Sequence, residues 1–157
     1  MLSEPQRALL STISTTQTKI QESQIELEAK AQVPELGSDP HARKWKQVTL
    51  DTRKQNVGSQ IAAMNAATAQ VVTLTSGPVD EIDHTAVGAA ITTIGSNLPE
   101  MTKDVKMIAS LMDDTNVGEK LIDATKKLVS AFSDLLRTVE PEAKEVRRYP
   151  ISCVLNK

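Results

Sequence analysis

Aromatic residues are nearly missing from this sequence: Trp45, Phe132 and Tyr149 make up 2% of its 157 residues. A core without rings is built from Ala, Val, Ile, Leu, Met and the methyl group of Thr, and it gains less per residue because each side chain buries less area. Such small side chains suit helices packed close together. Cysteine is nearly missing too. Cys153 is the only one, so no internal disulfide can form, and no histidine lies near it in sequence to activate it as a nucleophile. A long run of one charge is also absent. The net charge is −2, and the longest basic stretch, 144–148, is interrupted by Glu145. The basic footprint that nucleic acid demands is therefore missing, and no nucleic-acid partner is expected. No apolar run approaches the ~20 residues needed to span a bilayer. Residues 1–7 carry no signal-peptide h-region. These absences predict a cytoplasmic chain with no membrane insertion.

What the sequence does contain is helical periodicity. The length is that of one domain, and 39% hydrophobic with 24% charged residues fits a folded protein. Over residues 4–30, Leu9, Ile13, Ile20 and Leu27 fall at helical spacing, with Thr16 and Ser23 completing the stripe. Pro34 and Gly37 break it. A second helix opens at Asp39, a good N-cap, with Pro40 at the first helical position, where its missing N–H is harmless. Its predicted stripe is Trp45, Val48, Val57, Ile61, Met64, Thr68, Val71 and Leu74, and it reaches Ser76 despite Gly58. In the third segment Val87, Ile91, Ile94, Leu98, Met101, Val105, Ile108 and Met112 alternate spacings of four and three. That seam is the pattern of left-handed antiparallel packing. Pro99 inside it predicts a kink. A fourth helix is predicted to start at Asn116, with Glu119 completing a capping box, and to close at Pro141. The short loops predict an all-α, up-down-up-down four-helix bundle. Hydroxyls at stripe positions such as Thr16, Thr68 and Thr125 either simply permit close helix approach or also weaken the core.

Catalytic and cofactor chemistry finds no residues. Glu81 and His84 have the Glu-x-x-His spacing of di-iron bundles, but Ser38 occupies the matching position before His41, so a second motif is missing. The glycines form no phosphate-cradling loop. No serine has a plausible His/Asp pair. The reading is of a non-enzyme without cofactor or metal.

The fourth segment is unusually wide in its apolar stripe. Leu121, Ala124, Thr125, Leu128, Val129, Phe132, Leu135, Leu136 and Val139 resemble the vinculin-binding helix of the talin family, whose pattern is Leu-xx-Ala-Ala-xx-Val-Ala-xx-Val-xx-Leu-Ile-xx-Ala. Leu121, Ala124 and Leu135 match it outright, and Thr125 is the polar departure. Further stretches resemble the first helical subdomain of the talin rod: 45–46 after the Asp39-Pro40 start, 67–74, 83–88, 92–98 and 133–137. The resemblance implies an adaptor whose helix over about 116–140 binds the vinculin head, linking integrin adhesions indirectly to actin. The competing expectation is a passive spacer bundle whose wide stripe is only core. In the family another Ala/Leu-rich helix follows; here 147–157 contains Pro150 and no seam. Residues 3–146 are thus expected to form a talin-rod-type bundle lacking that following helix, and 147–157 an unrelated or disordered tail.

Overall fold

A computed structural model describes residues 1–29 and 37–145. They form four helices: α1 (Glu4–Glu28), α2 (Pro40–Thr75), α3 (His84–Leu111) and α4 (Thr115–Lys144), with one 3-10 turn over Val79–Glu81 between α2 and α3. The predicted tail at 147–157 lies outside the described residues.

Each helix start is set by a side chain that satisfies an otherwise orphaned backbone N–H. Ser3 and Gln6 form a reciprocal capping box on α1. Asp39 accepts from the Ala42 N–H at 2.7 Å, as its sequence position predicts. Asp83 does the same for Ala86 at 3.1 Å. On α4 the cap is Asp114, which accepts from the Asn116 N–H at 3.0 Å, so the predicted start at Asn116 is one residue late and its box with Glu119 is not the cap. The predicted stop at Pro141 is also corrected: α4 continues to Lys144. Proline strips one hydrogen bond from the carbonyl four residues back, at Arg137. Both residues face solvent, so that carbonyl is not stranded in the core, and the next turn is anchored by buried Ala143. Pro99 likewise sits on an exposed face within α3.

Cross-helix pairs fix the directions. Lys46 pairs with Asp113 and Arg53 with Asp104, so α2 runs antiparallel to α3. Glu28 meets Lys126 and Gln6 reaches Ala143, so α1 and α4 are antiparallel. Leu9 lies by Gly88, Thr16 by Gly95 and Glu26 pairs with Lys106, so α1 and α3 are parallel neighbours. The result is an up-down-up-down bundle in which α3 packs on all three other helices, α1 and α4 pack on each other, and α2 lies mainly against α3.

The core follows this arrangement. On α3, Val87, Ile91, Ile94, Leu98, Met101, Val105 and Ile108 are all buried, as the periodicity predicts, while Met112 caps the helix half-buried and Leu111 takes the interior place. Gly95 lets α1 approach: a Cβ there would lie 3.1 Å from the Thr16 hydroxyl. The core threonines Thr102 and Thr125 turn their hydroxyls onto the carbonyls of Leu98 and Leu121, each at 2.8 Å, which satisfies them inside their own helices.

The α2 stripe needs correction. Trp45 and Val48 are 46% and 55% exposed. The side facing α3 instead passes through Lys46, Leu50, Arg53, Val57, Gln60, Met64, Ala67, Val71 and Leu74, all buried or half-buried. This is an unbroken alternation of four and three. Reading only apolar residues missed it, because three of its members are polar and find polar partners across the seam.

Candidate partner-binding helix

The candidate site is one face of α4. Its seam runs Gly118, Ile122, Thr125, Val129, Phe132, Leu136, Val139 and Ala143, again alternating four and three. Of the residues predicted from sequence, Thr125, Val129, Phe132, Leu136 and Val139 are buried. Leu121, Leu128 and Leu135 are half-buried and recur every seven residues along one flank of the seam. Ala124 is exposed and takes no part in the core. The sequence reading missed Gly118, Ile122, Ser133 and Ala143. Ala143 was hidden behind Pro141, taken as a stop. Gly118 and Ile122 were recoverable by extending the seven-residue register toward the N-terminus. Gly118 matters sterically: a Cβ there would come within 2.9 Å of the Ala109 carbonyl oxygen, so only glycine lets the first turns of α4 cross α3 this closely.

Two different surfaces hold this face. Toward α3 the contact is apolar. Toward α1 it is laced with polar pairs. The Gln6 side chain donates to the carbonyls of Ala143 at 3.3 Å and Glu145 at 2.6 Å. Ser133 donates its hydroxyl to Gln17 at 3.2 Å, and Gln17 donates back to the Ser133 carbonyl at 3.4 Å. Lys126 pairs with Glu28 at 3.0 Å. At the far end, a groove of about 470 Å³ opens between α1, α3 and α4, floored by Leu27, Ala109 and Ile122 and rimmed by Lys106 and Lys126. On that rim the Lys106 ammonium, by its hydrogen bond and then its charge, holds the exposed Glu26 carboxyl below the usual carboxylate range.

The α2–α3 seam has a different chemistry. Asp104 is 1% exposed, and its carboxylate accepts from Arg53 and, at 3.3 Å, from Gln60. The Gln60 carbonyl oxygen has no partner among the described residues. His41 is exposed, and His84 is the half-buried first residue of α3. Among the described residues no three His, Cys, Asp or Glu side chains gather where they could hold a metal. No described helix is long and apolar enough to cross a membrane.

The family model described as "Talin, middle domain" matches residues 5–153. The chain is 54% identical to the Talin of Oscarella pearsei over 123 residues, 78% of this chain and 5% of that protein. It is 45% identical to Talin-2 of Homo sapiens over 148 residues, covering 94% of this chain and 6% of the relative. Talin-1 of Gallus gallus is 42% identical over the same 148-residue length. The chain thus spans about 5% or 6% of the length of the curated relatives it matches.

Proposed function

The chain belongs to the talin family as a helical subdomain of the rod, and from that premise we propose that it is a cytoskeletal adaptor module whose α4 binds the vinculin head. The observation that carries this reading is the match between the talin vinculin-binding pattern and a helix whose matching positions are mostly turned into the core. Leu121, Thr125, Leu128, Val129, Phe132, Leu135, Leu136 and Val139 form one continuous face, buried or half-buried against α1 and α3. Ala124 lies at its edge.

An amphipathic helix of this kind is recognised by laying its apolar face into a hydrophobic groove. That face is already in use within the bundle. Partner and bundle compete for it, so apparent affinity is the intrinsic affinity multiplied by the fraction of molecules with α4 released. Tension on a longer talin chain would raise that fraction, which makes the module a mechanosensor at cell-matrix adhesions, on the cytoplasmic side, between integrin and actin.

The test is calorimetry of the vinculin head against a 116–140 peptide and against the intact chain. The peptide is expected to bind more tightly. Equal affinities would remove the competition, and absence of binding by the peptide would leave a passive spacer bundle.

A further inference from the structure

Among the contacts that hold α4, one joins two helix ends that are 137 and 139 residues apart in sequence. Gln6 is only 7% exposed. Its Oε1 accepts from the Ser3 N–H at 2.8 Å, completing the α1 capping box. Its Nε2 donates to the carbonyls of Ala143 and Glu145. The partners allow only this orientation of the amide, since the oxygen faces a donor and the nitrogen faces two acceptors. The last carbonyls of a helix have no intrahelical donor, and here the donor comes from the first turn of another helix.

We propose that Gln6 is a clasp that sets how readily α4 leaves the bundle, acting on its C-terminal end separately from the apolar core. This rests on the reading of α4 as the helix released to a partner. The position of the clasp supports it: Glu145 is where the chain leaves α4, one turn beyond Pro141, whose missing N–H removes one backbone hydrogen bond from the end of the helix. Ala143, 1% exposed, is the last buried residue of the seam. With the clasp closed, fraying cannot propagate past it into Val139 and Leu136. With it open, the next polar contact between α4 and α1 among the described residues is the Ser133–Gln17 pair.

The two roles of Gln6 can be separated by Gln6→Glu. A carboxylate still accepts from Ser3, and a glutamate in the first turn suits both the capping box and the helix dipole. It has no donor for the two carbonyls. In hydrogen-deuterium exchange on the full chain, the variant is expected to accelerate the amides of 139, 140 and 142–145 about five- to tenfold, the order expected for loss of such hydrogen bonds. The first turn of α1 and the centre of α3 are expected to keep parental rates. Gln6→Ala serves as the second variant, accelerating both ends. Unchanged exchange at 139–145 in Gln6→Glu, or equal acceleration throughout the chain, would overturn the clasp. A separate titration with the vinculin head distinguishes the two readings. Faster local exchange with tighter head binding supports both. Faster local exchange with no head binding by either chain or peptide leaves the clasp standing and removes the proposed partner.

Discussion

Helices α2 and α4 both lie against α3, and both present it with an uninterrupted seven-residue seam, yet the two seams are filled differently. The α2 seam carries Lys46, Arg53 and Gln60 in its N-terminal half, and Arg53 and Gln60 reach the buried carboxylate of Asp104. The α4 seam carries no charge at all from Gly118 to Ala143. For the exchange proposed for α4, the difference bears on which helix is suited to a second partner. If α2 left, Asp104 would lose the guanidinium that compensates it, and Arg53 would need a carboxylate at a matching place elsewhere. If α4 left, it would carry an apolar face that any apolar groove of suitable shape can receive. Fixed register belongs to α2, and transferable surface belongs to α4.

Four measurements break or sharpen this contrast. The largest effect is expected from Leu136→Ala, at a position with 0% exposure on the α4 seam. It should lower stability by about 3–4 kcal/mol in denaturant unfolding, within the range for buried Leu→Ala. Next comes Arg53→Ala. Breaking a fully buried pair costs ~3–5 kcal/mol, but the Arg53 side chain is 36% exposed, so about 2 kcal/mol is expected. The double variant Arg53→Met, Asp104→Leu should recover most of that loss; if it does not, the pair contributes more than register. Leu135→Ala, on the half-buried flank, should cost about 1–2 kcal/mol, clearly less than Leu136→Ala, because part of its surface is already wet. Equal costs for the two would mean that the flank and the seam are misassigned. The smallest effect concerns Glu26. Its pKa is depressed in the folded chain, so its pairing contributes above the unfolded value near 4.5 and is lost as pH falls through the lower folded value. Lys106→Met should move the Glu26 carbon resonance in an NMR titration back toward ordinary carboxylate behaviour and lower stability at neutral pH only slightly, since the pair is solvent-screened, with that small difference vanishing as the pH falls below the folded value.

How far the sequence revealed this depends on which residues fill the seam. The α3 stripe was legible almost throughout, because apolar residues occupy nearly every inward position of a helix with neighbours on three sides. The C-terminal half of α2 was legible for the same reason. Its N-terminal half was not: Trp45 and Val48 are apolar and face solvent, while Lys46 and Arg53 are charged and face α3. Hydropathy cannot find a position whose polarity is matched by a residue some 50 or more positions away. The α4 face is legible in outline from its width and its likeness to a family pattern, but its last turn is not, because Pro141 reads as a stop until the tertiary anchor of Ala143 is seen. The Ser3-x-x-Gln6 spacing fits a capping box, a signal that the helical periodicity alone does not use. Its second task, at the end of α4, could not be read before α1 and α4 were known to be antiparallel neighbours.

That antiparallel pairing has a mechanical consequence. Ser3 and Glu145 sit at the same end of the bundle, held together by one side chain. A load applied between those two points does not slide α1 along α4, which would require the whole seam to shear at once. It opens the pair like a zip, from Gln6 through Gln17 to Glu28, one contact at a time. Sequential rupture concentrates the load on each successive pair, so the force at which α4 comes free is set by the strongest single step and not by the sum of the seam.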